Sequence, residues 1–140
     1  MTKVTKLKTG SKFEDLARYS RAVCVGDFIF VSNTAGRNLE TQEMPDTLAG
    51  QTEQMFLNIE SALEVVGASL KDVISYRLFV PNPEDLGILA PILGQKFKDI
   101  DPTSTVTCPQ LAAPYYKVEM EVTAYRGASA LETETINIGK

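Results

Sequence analysis

The chain contains no histidine. That absence excludes a Ser-His-Asp triad, a Cys-His dyad and any His-ligated metal site. Cysteine is scarce: Cys24 and Cys108 lie far apart in predicted strands and form no CxxC motif. They read as small buried apolar residues in a reducing compartment, with a reactive thiol as the alternative. No apolar run approaches the ~20 residues needed to span a bilayer. Met1 to Gly10 has lysines but no apolar segment after them, so no signal peptide is expected and the protein reads as cytoplasmic. The net charge is −4 and there is no basic run, which disfavours a broad nucleic-acid-binding surface and leaves room only for a small local patch.

What is present is ordinary for a globular protein: 44% hydrophobic and 23% charged residues over 140 positions, enough for one domain with a real core, 1–140. Residues 1–18 are polar and mixed, with a helical turn as the one candidate element, around Lys12 to Leu16. Arg21-Ala22-Val23-Cys24-Val25 and Phe28-Ile29-Phe30-Val31-Ser32 flank Gly26-Asp27 and predict a hairpin. A polar loop from Asn33 to Pro45 follows, containing Gly36 and Arg37.

The clearest helix starts at an Asp46 or Thr47 cap. Thr52, Met55, Ile59, Ala62, Leu63 and Val66 give it one apolar stripe, and Gly67 ends it. Val73 to Val80 predicts a central strand, with Ile74, Tyr76, Leu78 and Val80 on one face and Val73, Ser75, Arg77 and Phe79 on the other. Asn82-Pro83-Glu84-Asp85 opens a second helix, which Pro91 is expected to kink or split. Two alternating runs close the pattern, Thr103 to Cys108 and Lys117 to Tyr125. In the second, Val118, Met120, Val122 and Ala124 point one way, and Glu119, Glu121, Thr123 and Tyr125 the other. Residues 127–140 add a short edge strand or stay loose. The order ββαβαββ implies an α+β fold, a mixed sheet with two helices on one face. The other face still carries apolar side chains, which symmetric association of identical chains would bury.

Several of these stretches together resemble the Rid family (YjgF-type reactive intermediate deaminases, older name L-PSP endoribonucleases). The resemblance covers about 19–126. It is carried by Tyr19-Ser20-Arg21-Ala22, Gly26-Asp27 with Ile29-Phe30-Val31-Ser32, and Gln51-Thr52 with Asn58-Ile59 and Leu63. Gly67 to Val73 and Lys117-Val118-Glu119-Met120-Glu121 complete it. The resemblance implies a chorismate-mutase-like fold, a homotrimer with clefts between subunits, and a small-molecule substrate. Deaminating members hydrolyse enamines and imines such as 2-aminoacrylate without metal or organic cofactor. In them an arginine clamps the substrate carboxylate and a glutamate helps position the attacking water.

Carried over residue by residue, the family's cleft tyrosine matches Tyr19, its serine Ser32 and its glutamate Glu119. The arginine has no counterpart. Thr103 stands in its place when Val106 and Leu111 set the register, Ser104 when Pro102 does, and no arginine occurs between Arg77 and Arg126. The asparagine of some members is Ala90 here, and the loop Ala112 to Tyr116 is slightly longer than in typical deaminases. Charge-assisted hydrogen bonds of the kind an arginine makes contribute roughly 1.5–3 kcal/mol each. An anionic 2-imino acid is therefore expected to bind poorly unless another cation replaces it. Arg37 is the leading candidate and Arg77 the weaker one; the alternative for Arg37 is a solvated loop residue.

The site expected from the sequence is thus Glu119 as the catalytic group, with Tyr19, Ser32, Arg37, Thr103 and Thr105 binding substrate. Each has a bland alternative: Glu119 as a solvated strand residue, the threonines as plain β-formers, Tyr19 as interface packing. The expected function is hydrolysis or tautomerisation of an imine- or enamine-like metabolite in a trimer. The alternatives are a non-catalytic binding or interaction protein on the same scaffold and, third, a ribonuclease, against which the acidic balance and the missing histidine argue.

Overall fold

The computed structural model describes residues 2–139. Six strands form one sheet in the order β1-β2-β3-β6-β4-β5. They are β1 (Val4–Leu7), β2 (Ala22–Val25), β3 (Phe28–Ala35), β4 (Val73–Phe79), β5 (Thr103–Thr107) and β6 (Glu119–Tyr125). All neighbours are antiparallel except β4 and β5, which run parallel and are joined through a helix. The helices are α1 (Lys12–Ala17), α2 (Leu48–Val65) and α3 (Leu86–Lys96), with short 3-10 turns before β4, before α3 and after β6.

The α+β expectation holds, and the hairpin of β2 and β3 turns on Gly26 and Asp27, Gly26 having a φ of 58°. Arg126 clamps that turn by donating from Nη1 to the Gly26 carbonyl and to Asp27, and from Nε to the Val66 carbonyl. Thr47 caps α2, its hydroxyl accepting from the Gly50 amide. The apolar stripe of α2 is buried against the sheet: Thr52, Met55, Ile59, Ala62 and Leu63, together with Phe56. From the sheet, Ile29, Val31, Leu78, Met120, Val122 and Ala124 meet it. Asn82 caps the turn that leads into α3, as its residue type predicts. Pro91 does not split α3, which runs unbroken from Leu86 to Lys96.

Three expectations need correction. Ile74 does not share the buried face of Tyr76, Leu78 and Val80: it is exposed, and Val73 is buried instead. The cause is a register shift between Val73 and Ser75 against β6, which inserts one residue and exchanges the faces upstream of it. Cys24 is buried, but Cys108 lies exposed just beyond the edge strand β5. The segment before α1 contains β1, a four-residue edge strand with no alternating pattern to announce it. Of the two alternatives expected for the C-terminal stretch, the loose one is found: beyond the turn at Ala128–Ala130, residues 131–139 form neither helix nor strand.

The face of the sheet away from α2 carries Phe28 and Phe30, 46% and 48% exposed, and Tyr125, whose ring meets Phe28 edge-on at 5.0 Å. Glu121 and Arg77 pair on the same face at 3.4 Å. Large aromatic side chains are thus left half in water on this open face of the sheet.

Candidate functional site

Where β3 leaves the sheet and β6 enters it, a cavity of about 530 Å³ opens, a size suited to a metabolite. Its walls come from the segment before α1 (Thr9, Ser11, Glu14), from Tyr19 and Arg21 ahead of β2, from the end of β3 and from the loop after it. Tyr116 and Glu119 close the remaining side.

The end of β3 is built by a bulge. Val31 faces Val122 and Thr34 faces Met120, so three steps on β3 match two on β6. Thr34 is thereby turned inward and buried, and its hydroxyl bonds the Ser32 carbonyl at 2.7 Å. The Ser32 amide and hydroxyl bond the Arg21 and Ser20 carbonyls, at 2.9 and 2.7 Å. Asn33 is turned toward the cavity. Its carbonyl accepts from Arg21 Nη2 at 2.9 Å, and its side-chain amide donates to Glu119 Oε1 at 2.5 Å.

Glu119 is half-buried at the first position of β6, with Val118 and Met120 on either side pointing into the core. Burial pushes its carboxyl above the ordinary carboxylate value, against the pull of the nearby Arg21 charge. A carboxyl so raised exchanges its proton closer to neutrality than a solvated one, which suits general acid–base work. Glu14, which also lines the cavity, is shifted the other way. Its burial is outweighed by hydrogen bonds from the Thr9 hydroxyl and amide, helped by Lys8, and the carboxyl stays charged. The two carboxyls of the cavity therefore differ in character.

Arg37 donates to the Gln42 carbonyl at 2.7 Å, and its guanidinium is held in the charged form chiefly by the Tyr116 hydroxyl, with Tyr115 beside it. The two tyrosine rings lie 4.8 Å apart. Behind this wall, α2 supplies two buried amides. Asn58 donates to the Ala35 and Arg37 carbonyls, while Gln51 bonds the carbonyls of Pro45 and Tyr115 and the amide of Lys117. The loop packs so closely that a side chain on Gly36 would collide with the Gln51 backbone.

Of the residues expected from the sequence, Tyr19, Arg37 and Glu119 come together in this cavity. Ser32 does not line it; its hydroxyl is committed to the Ser20 carbonyl. Thr103 and Thr105 lie on β5, opposite Ser75 and Arg77, with the whole of β4 between them and β6. They are not walls of this cavity within one chain, and Arg77, paired with Glu121, is outside it too. Among the cavity residues that went unrecognised in the sequence are Arg21 and Asn33. Arg21 alternates with Ala22 and Cys24, which are buried, so its position facing away from α2 could have been read. Asn33 depends on the bulge, whose trace is the failure of the inward phase of Ile29 and Val31 to continue at Asn33. Among the described residues no cluster of three metal-ligating side chains occurs.

Comparison with known proteins places this geometry among relatives. The model of the family described as Endoribonuclease L-PSP matches residues 9–126. A 2-iminobutanoate/2-iminopropanoate deaminase of Dermatophagoides farinae is 29% identical over 100 residues, 70% of this chain and 78% of that protein. A RutC family protein of Pyrococcus abyssi is 29% identical over 109 residues, 77% and 86% of the two chains. Among solved structures, a YjgF-family protein from Mycobacterium tuberculosis superposes with a TM-score of 0.79 at 33% identity, over 88% of this chain and 99% of that one. RidA from an Antarctic Psychrobacter gives 0.74 at 25% identity, over 86% and 93%.

Proposed function

Because the chain belongs to the endoribonuclease L-PSP family, which includes the YjgF and Rid proteins, we propose that its cavity binds a small imine- or enamine-like molecule and hydrolyses or tautomerises it. The observation that carries this reading is Glu119, a half-buried carboxyl with a raised pKa, oriented by Asn33 at the wall of a metabolite-sized cavity. In hydrolysis, water adds to the C=N carbon while a proton passes to the nitrogen by way of Glu119. The resulting carbinolamine then loses ammonia and leaves a carbonyl. An enamine enters the same course after protonation at carbon. Tyr19 and Arg37 bound the ligand. The departure from 2-iminopropanoate-type deaminases lies in β5, where Thr103 or Ser104 stands at the position of the family's carboxylate-binding arginine.

The working unit of this reading is a homotrimer. Half-exposed Phe28 and Phe30 on the helix-free face support it. In a trimer Thr103 and Thr105 would serve the cavity of a neighbouring chain rather than their own. A ribonuclease finds less support: the wall of the cavity carries two carboxyls and no histidine.

The test is turnover of 2-aminoacrylate generated in situ, beside an arginine-bearing member of the family. Slower turnover by this chain is expected, and equal rates would remove the significance of the β5 departure. Glu119→Gln is expected to abolish whatever imine or enamine hydrolysis the wild type shows. Retained turnover would take Glu119 out of the mechanism.

A further inference from the structure

Residues 132–138 have the pattern of a strand and no partner. Glu132, Glu134, Ile136 and Ile138 alternate with Thr133, Thr135 and Asn137. Extended, the segment puts two acids and two isoleucines on one face. Ile136 is 74% exposed and Ile138 100%. Among the described residues, no backbone group of 132–138 bonds another backbone group. The segment lies beyond the matched residues 9–126, so the fold shared by the family does not account for it.

One edge of the sheet complements this face. β1 is bonded to β2 alone, and its other side is open. Beside it lies a groove of about 510 Å³, lined by β1 and the end of α2. Lys3 and Lys6 give the groove its charge, and among the described residues neither is paired with a carboxylate. Leu7, Val65 and Val66 give it an apolar part. Thr5 and Leu7 stand opposite Cys24 and Ala22, both buried, so Lys3, Thr5 and Leu7 share the face toward α2. Lys3 precedes Leu7 by the same interval as Glu132 precedes Ile136. A parallel alignment therefore sets acid against lysine and isoleucine against leucine. The opposite edge, β5, is uncharged, and the lysines near its start, Lys71 and Lys98, are matched by Asp99 and Asp101. The segment cannot serve its own β1. Thr133 shares a cavity with Ile74 and Pro102, on the β4–β5 side of the sheet. From β4 to β1 is four strand spacings, about 19 Å, whereas the five residues from Thr133 to Ile138 span at most about 18 Å.

We propose that residues 132–138 of one chain add as a strand to the open edge of β1 in a second copy of the chain, with Glu132 meeting Lys3 and Ile136 covering Leu7. Strand addition bonds the idle backbone groups of the segment, and its alternate side chains set the register. Donor and acceptor are different surfaces, so each copy gives one segment and takes one. A seven-residue contact is small beside the roughly 1,200 Å² of a stable interface. It therefore reinforces association at the helix-free face and does not replace it.

The test couples neighbouring lysines and carboxylates of the full-length wild type with a carbodiimide and separates the products on a denaturing gel. A Lys3–Glu132 cross-linked peptide is expected from the dimer band and not from the monomer band. Dissociation on dilution, followed by light scattering, gives a second readout. Ile136→Asp should move its midpoint to about tenfold higher concentration with circular dichroism unchanged, because Ile136 touches no core residue. Lys3→Glu and Glu132→Lys should each weaken association, and the two together should restore it. The cross-link needs no mutation, so it decides the matter even if a variant folds poorly. Absence of the Lys3–Glu132 peptide from the dimer band, or its recovery from the monomer band, overturns the proposal. So does coupling of Glu132 to Lys71 or Lys98 in its place, or an unmoved midpoint in Ile136→Asp.

Discussion

Glu119 and Glu14 face one cavity, and their opposite shifts make opposite demands on stability. The Glu119 carboxyl holds its proton more tightly in the folded chain than in the unfolded one, because burial disfavours its charge. Folding stability from this residue therefore falls as pH rises above the ordinary value of 4.5. Glu119→Gln keeps an oxygen for the Asn33 amide and removes the charge. It should match the wild type at about pH 4 and be the more stable protein at about pH 7, as read from urea midpoints. Glu14 runs the other way, since the Thr9 bonds lower its pKa. Its contribution is present above 4.5 and is lost as pH falls toward the depressed folded value. Glu14→Gln should lower stability at about pH 7, with the gap to wild type closing on acidification. Ser32→Ala should cost about 1–3 kcal/mol in stability, because the Ser20 carbonyl loses its partner.

The elements that hold the cavity together were legible in unequal measure. The stripe of α2 was readable because its period is that of a helix on a flat support, and the alternation of β6 placed Glu119 opposite Met120 correctly. Gln51 and Asn58 were readable only as carriers of a resemblance. Their physical role is to bond loop carbonyls that are distant in sequence, and no local pattern expresses that. The placement of β5 was missed for a similar reason. Alternation identifies a strand but not its neighbour, and β4 intervenes between β5 and β6. Both bulges escaped as well, since one inserted residue leaves composition unchanged while reversing which side chains face the core. Two substitutions test this support. Gln51→Ala should cost about 3 kcal/mol or more, because it strips partners from three backbone groups at once. Gly36→Ala should displace the loop from α2, lowering the melting temperature and weakening ligand binding together.

For the whole molecule, the helix-free face is where the proposed association of chains would form. Phe28, Phe30 and Tyr125 form an aromatic strip beside the polar row of Glu121 and Arg77. Phe30→Asp should leave the core untouched, since Phe30 is half-exposed, and should yield monomer in light scattering. If the cavity is completed by a neighbour, that variant should also lose turnover while retaining its circular dichroism. A wild-type chain that is monomeric at micromolar concentration would contradict the trimer.

The bulge at the end of β3 has a consequence for how this protein tolerates changes of length. Sheet register is counted in single residues, so removing one residue between Ser32 and Thr34 would let β3 and β6 pair without interruption. The ladder would survive and the core residues before the bulge would keep their places. The amide that steadies Glu119 would be gone. A one-residue deletion here would thus produce a chain that folds without its site, whereas the loop beyond Arg37 can change length without altering the phase of either strand. Among descendants of such a sequence, silent loss of activity should follow deletions at this point sooner than substitutions around it.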